Sequence, residues 1–244
     1  MIMPSPNPVV WVTGSSRGIG QAIAQAFGRA GWRVAVHGRA RMAEAEQTAQ
    51  MLRAGGADAV ACQADVRDAV RMTGVATSIL ERWSRLDVVV ACAGLGHSGL
   101  VARTGSDTWE QLMAVNLTGA FHTLRAAGPL MTAQGTGHVI LIGSYAGSHG
   151  HAGQAAYAAS KAGLIGLART AAREWADTNV RVNVVFPGWH RTELSGGAMP
   201  DRPDADHLLG RTPDLDEVAR TVVHLATCRD VSGQVWNLDS RPLP

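Results

Sequence analysis

The chain has 244 residues, 46% of them hydrophobic and 17% charged, with a formal net charge of +2. That length can bury most of its apolar surface without disulfide or metal staples. So small a charge excludes nucleic acid or an anionic membrane as an electrostatically recruited partner. Cys62, Cys92 and Cys228 are scattered, with no C-x-x-C pair and no Cys/His cluster, so free thiols and no metal are expected. The opening MIMPSPNP has no basic segment followed by an apolar run, and no apolar stretch reaches membrane-spanning length. A cytoplasmic protein without a membrane partner is the expectation.

In chain order, PVVWVT (8–13) is a short apolar run that reads as a buried strand, followed by the glycine-rich turn Gly14 to Gly20. A helix follows, with Ile23, Ala24, Phe27 and Ala30 on one side and Gly31 as its stop. WRVAVHG is a second strand, 41–54 a helix closed by Gly55-Gly56, ADAVACQADV a third strand, and 68–83 a helix. LDVVVACAG is a fourth strand, continuously apolar as a strand covered on both faces should be. After a polar loop (95–106), Ser106 or Asp107 is the expected cap of a long helix over 107–131. HVILIGS is the fifth strand, AAYAASKAGLIGLARTAAREW a helix, and VRVNVVFPG a sixth strand broken by Pro187-Gly188. Residues 189–213, rich in Gly, Pro and Asp, read as a mobile flap; DLDEVARTVVHLA is the last helix and SGQVWNLD the last strand. Strands alternating with helices predict a single Rossmann-type α/β domain over 1–244: a doubly wound parallel sheet of about seven strands with helices on both faces.

Two stretches carry chemistry. The turn is spaced G-x-x-x-G-x-G; its glycines let backbone approach a pyrophosphate while the next helix offers its N-terminal amides. At the end of the second strand stands His37-Gly38-Arg39, with no acid to hold ribose hydroxyls. Arg39, with Arg17 of the glycine turn, suits a 2′-phosphate, which favours NADPH over NADH. In the second stretch, Ser144 stands thirteen residues before Tyr157, and Lys161 follows one helical turn later. Lys161 is the single lysine in the chain, against 22 − 1 = 21 arginines. A phenol with a pKa of about 10 is a poor acid–base at neutral pH, and a neighbouring ammonium is expected to pull it downward. The Ser144 hydroxyl could hold a carbonyl oxygen beside the tyrosine.

With these stand Thr13-Gly14, Gly18-Ile19-Gly20, Asp65-Val66, Ala93-Gly94, Val115-Asn116-Leu117-x-Gly119, Tyr157-x-x-x-Lys161 and Pro187-Gly188. On this ordered set the chain resembles, over nearly its whole length, the short-chain dehydrogenase/reductase family, of the 3-oxoacyl-(acyl-carrier-protein) reductase type. The resemblance implies a catalytic tetrad of Asn116, Ser144, Tyr157 and Lys161. Tyr157 is the expected proton donor to a carbonyl that receives hydride, Lys161 holds the nicotinamide ribose, and Asn116 holds a water. It implies a cofactor held by Gly14, Ser16, Arg17, Gly18, Ile19, Gly20, Arg39, Asp65, Val66, Ala93, Gly94, Pro187, Gly188 and Thr192, together with Tyr157 and Lys161. A homodimer or tetramer packed through helices at 107–131 and 157–176 is also implied. The activity implied is NADPH-dependent reduction of a ketone, a 3-oxoacyl thioester or related β-keto compound. The alternatives are an NAD(P)-dependent enzyme of a free alcohol or ketone and, remotely, a non-catalytic dinucleotide-binding protein.

The sequence departs from that pattern in three places. Ala91-Cys92 replaces the usual Asn-Asn, and Asp239-Ser240-Arg241 the usual Asp-Gly-Gly. Gly135 and Thr178 stand where carrier-protein reductases tend to be basic, so an acyl-carrier-protein partner is not supported. His149, His151 and Trp189 are candidate substrate contacts; His97 and His190 lie on loops expected near the pocket; His122, His138 and His224 read as structural.

Overall fold

β1 (Val9–Thr13) is buried at every position, and its side chains part between two cores. Val9 and Trp11 enter one, Val10 and Val12 the other, as the period-2 alternation of a strand requires. The same division runs through β2 (Arg33–Gly38), β4 (Val88–Ala91), β5 (Gly137–Ile142) and β6 (Val180–Phe186). With β3 (Ala59–Gln63) and β7 (Val235–Asn237) these strands form one sheet, ordered β3-β2-β1-β4-β5-β6-β7. Every pairing is parallel. The computed structural model describes residues 7–193 and 206–243.

Helices cover both faces, so neither side of the sheet needs polar residues. On one face lie α1 (Gly18–Arg29), α2 (Met42–Ala54) and α8 (Leu215–Thr227); on the other, α3 (Ala69–Trp83), α5 (Gly119–Gln134) and α7 (Ala155–Glu174). α1 places Ile23, Ala24 and Phe27 at zero exposure; burying a side chain such as Phe27 contributes about 1.5–3 kcal/mol. Ala30, expected on that face, is exposed, because the helix ends at Arg29 and Gly31 turns the chain at φ +81°.

The helix expected over 107–131 is not regular. α4 (Ser106–Leu112) leads into a wider π-type turn, Met113–Thr118, before α5 continues to Gln134. Neither Ser106 nor Asp107 caps α4: Gly105 does, in extended conformation, and both side chains fall inside the first turn. A four-residue helix, α6 (Ala146–His149), sits in the stretch read as loop before Tyr157. Of the segment read as a flap, residues 194–205 lie outside the described residues. Among the described residues no helix is long and apolar enough to cross a membrane.

β2 leaves β1 to one side and β4 joins it on the other, so the loops at the carboxyl ends of β1 and β4 diverge. In an open parallel sheet this is where a ligand crevice opens. A cavity of about 910 Å³ does open there.

Candidate active site

The floor of the cavity is the turn after β1. The Thr13 hydroxyl accepts the backbone N–H of Cys92 at 3.0 Å and of Ala93 at 3.2 Å, clamping the end of β1 to the end of β4. Gly14 has φ +66°, and a Cβ there would lie 2.6 Å from the Cα of Ala93. A Cβ on Gly20 would overlap the Gly14 carbonyl. On the β2 side, Gly14 N–H donates to Nδ1 of His37 at 3.2 Å, and Ser15 Oγ accepts the His37 N–H at 2.9 Å. His37 must therefore be neutral at Nδ1, and burial accordingly lowers its pKa to about 4. The first turn of α1 contains no acidic residue, and Arg17 before it makes no side-chain cap. Unclaimed amides, a favourable dipole end and a glycine cradle that a Cβ would fill fit the phosphates of a dinucleotide.

The inner wall is built by β5, α6 and α7. Ser144 Oγ accepts the backbone N–H of Ala146 at 3.2 Å and stands beside Tyr157 on the cavity wall. One turn along α7, Lys161 is 5% exposed. Its Nζ donates to the Ile142 carbonyl at 2.7 Å and lies 5.8 Å from the centre of the Tyr157 ring. Gly147 lets α6 close onto α7 here: a Cβ would come within 2.8 Å of the Lys161 and Ala162 backbone.

The electrostatics differ from the expectation of an ammonium pulling the phenol down. Burial pushes Tyr157 above the ordinary phenol value, opposed by the neighbouring Ser144 hydroxyl. Burial also lowers Lys161 to about 8, against a smaller opposing effect of Cys92. Desolvation disfavours the charged form of both groups. The Cys92 thiol, buried beside them, is pushed up to about 11 and stays neutral at neutral pH.

Asn116, 1% exposed, sits in the π-type turn and lies behind the cavity wall. Its Oδ1 accepts Leu95 N–H at 2.7 Å, and its Nδ2 donates to Leu95 O and Ser160 Oγ, each at 3.0 Å. Both amide protons are committed, so a water at this residue would meet a carbonyl oxygen.

At the other end the rim is made of arginines. Arg17 and Arg41 are both ion-paired to Glu193, the latter at 2.8 Å, and Arg41 also meets Glu44 at 3.1 Å. Arg39 lies 3.6 Å from Asp65. Asp65 is held by Arg67 at 2.6 Å, and hydrogen bonds from Arg67 outweigh its partial burial to lower its pKa to about 2. Near the inner end, Trp189 meets His151 edge-to-face at 6.2 Å. The His190 ring contacts the Pro187 carbonyl at 2.8 Å, and burial lowers its pKa. Among the described residues no group of three or more His, Cys, Asp or Glu is placed to hold a metal.

Residues 8–203 match the family model described as short chain dehydrogenase. The chain belongs to the short-chain dehydrogenase family. It is 36% identical to a 3-oxoacyl-(acyl-carrier-protein) reductase of Synechocystis sp., over 95% of each chain. It is 35% identical to one of Staphylococcus aureus, over 93% of this chain and 95% of that one. A solved structure of a short-chain alcohol dehydrogenase from Sinorhizobium meliloti superposes with a TM-score of 0.88 at 31% identity, over 96% of this chain and 95% of that one. This short-chain dehydrogenase is an NAD(P)-dependent oxidoreductase with a parallel, doubly wound sheet.

In this short-chain dehydrogenase, Gly14, Ser16, Arg17, Gly18, Ile19, Gly20, Arg39, Asp65, Val66, Ala93, Gly94, Pro187, Gly188 and Thr192 all line the one cavity, as do Ser144, Tyr157 and Lys161. So do His97, His151, Trp189 and His190. His149 does not: its ring stacks on Tyr145 at 4.1 Å, because α6 turns it away from the cavity. Sequence reasoning missed Arg41 and Glu193, whose pairing joins segments 152 positions apart. It also missed the Nδ1 role of His37, and Arg241 as part of the wall.

Proposed function

We propose that the protein is an NADPH-dependent ketoreductase that converts a β-keto compound, a 3-oxoacyl thioester or a relative of one, to a secondary alcohol. The observation that carries this reading is the Ser144–Tyr157–Lys161 wall, with Lys161 buried behind the tyrosine, on the cavity that the glycine turn floors. The bound dinucleotide supplies the hydride to the carbonyl carbon. The carbonyl oxygen sits between the Ser144 and Tyr157 hydroxyls. Tyr157, kept protonated by its burial, gives its proton to that oxygen, so the alcohol forms and a phenolate remains. Lys161 offsets the phenolate charge as it develops and presents its ammonium to the ribose. Asn116 holds the Leu95 turn and Ser160 in place behind them.

Support for NADPH over NADH comes from Arg17, Arg39 and Arg41 on the rim, where an acid for ribose hydroxyls is missing from the end of β2. A second reading, a free small molecule as substrate, is favoured by Gly135 and Thr178, which offer no charge to an acyl carrier protein. One catalytic domain, assembled as a homodimer or tetramer, completes the proposal, and the three free thiols support a cytoplasmic setting.

The test is NADPH oxidation by purified protein against β-keto thioesters and free ketones, with NADH in parallel. Turnover preferring NADPH is expected. Preference for NADH would leave the tyrosine chemistry standing and overturn the role given to the arginines. Bound cofactor with no carbonyl turned over would overturn the enzyme reading.

A further inference from the structure

Arg241 is an arginine with an exposure of 8%, and it forms part of the cavity wall. Its place is the substrate end. The guanidinium carbon lies 4.1 Å over the ring of Tyr145, the residue after Ser144. Its partner Asp239 packs behind Gly188, where a Cβ would come within 3.0 Å of Asp239.

Asp239 holds the guanidinium by one edge: Nε at 3.0 Å and Nη2 at 2.5 Å, both on Oδ2. Its Oδ1 accepts the Arg241 N–H at 2.8 Å, so that carboxylate is spent on one residue. The Asp239 side chain has zero exposure and does not line the cavity. Of the pair, only the arginine reaches the wall. Among the described residues Nη1 has no hydrogen-bond partner, so the Nη1/Nη2 edge keeps its donors. That edge is the planar fork that takes a carboxylate in two parallel bonds. The only carboxylates among the described lining residues are Asp65 and Glu193, both already paired to rim arginines. Asp206 lies near Tyr145 but is not a lining residue.

We propose that Arg241 is a substrate-binding residue and that the physiological substrate is an oxo acid whose carboxylate meets its free edge while the ketone lies between Ser144 and Tyr157. This rests on the ketoreductase reading and names its substrate class. The stacking on Tyr145 and the hold by Asp239 fix the guanidinium in the orientation a bidentate contact needs. A buried arginine held only for structure has no need to keep a donor edge on a cavity wall.

The experiment compares a series of oxo acids, from 2-oxo to 6-oxo chains, each against its own neutral amide, with NADPH. The expected result is a kcat/KM for the best acid at least about 10–100-fold above its amide, carried mainly by KM, as a charge-assisted bond predicts. Arg241→Gln should collapse that ratio towards one, and Arg241→Lys should restore part of it. Because Arg241→Gln leaves Asp239 buried and unpaired, the double variant Asp239→Asn/Arg241→Gln is measured alongside it, and collapse of the ratio there supports the same conclusion. Amides turned over as well as acids by the unaltered enzyme, or a ratio that survives both variants, would overturn the inference and leave the ketoreductase reading intact. No turnover of acids, amides, thioesters or simple ketones would overturn both.

Discussion

The two ends of the cavity are held by opposite means. At the inner end Lys161 is buried and pinned to the Ile142 carbonyl at 2.7 Å, Ser144 is held by the Ala146 N–H, and Tyr157 stands partly buried one helical turn from the lysine. At the rim Arg17 and Arg41 are about half exposed and held by a carboxylate on another segment, Glu193. Buried groups with fixed partners keep one geometry, whereas exposed ion pairs are worth about 0–1 kcal/mol and exchange partners readily. On the proposed reading the inner end carries the chemistry and the rim discriminates between cofactors.

The largest expected effect tests the inner end. Tyr157→Phe removes the proposed proton donor without changing the packing, so turnover should fall about 10²–10⁴-fold while NADPH affinity is nearly unchanged. Steady-state rates and a cofactor fluorescence titration measure the two. A similar loss of affinity would mean that the wall and the cofactor cradle are not separable.

A smaller effect tests whether interior rigidity extends beneath the rim. His37 and His138 are buried, with pKa values lowered by desolvation from 6.5 to about 4 and about 3. Above pH 6.5 each is neutral folded and unfolded, and contributes no pH dependence. As pH falls through that value, the unfolded chain binds protons that the native protein does not. Stability should drop by up to about 1.4 kcal/mol per pH unit for each histidine, until its folded pKa is reached. Urea unfolding at about pH 7 and about pH 5 reads this. Replacing His37 with Gln should remove its share of the slope, and an unchanged slope would show that His37 is not held neutral.

The smallest effect lies on the rim itself. Arg41→Ala should weaken NADPH by about fivefold and leave NADH unaffected, and Glu193→Gln should strengthen NADPH by a similar factor. Equal shifts for both cofactors would place these residues on the shared pyrophosphate instead, and blur the division between the two ends.

The sheet was legible in the sequence because each of its strands is a short apolar run between turn residues, and buried parallel strands leave no other pattern. The pairing of Tyr157 with Lys161 was legible because they are a helical turn apart, so local geometry alone brings them together. The π-type turn at Met113–Thr118 was not legible, since it differs from an α-helix in backbone hydrogen-bond register and not in any residue type the sequence displays. Arg41 and Glu193 were invisible because an ion pair between distant surface segments has no sequence spacing. Arg241 was read only as part of a departure from the usual Asp-Gly-Gly. Nothing local says that its guanidinium folds back over Tyr145. The downward pull of Lys161 on Tyr157 failed for a related reason: sequence shows the partner but not the desolvation that outweighs it.

The clamp made by the Thr13 hydroxyl joins positions 79 residues apart, and His37 ties the same turn to a third strand. Contacts of such long sequence separation form late, because loop closure must come first. A chain in which these contacts have not formed lacks the glycine-turn seat, so nucleotide affinity is expected to appear on refolding only once they have. By mass action, a cofactor at a hundred times its Kd would then add about 2.7 kcal/mol to the native state alone, so the nucleotide would also act as a stabiliser of the finished fold.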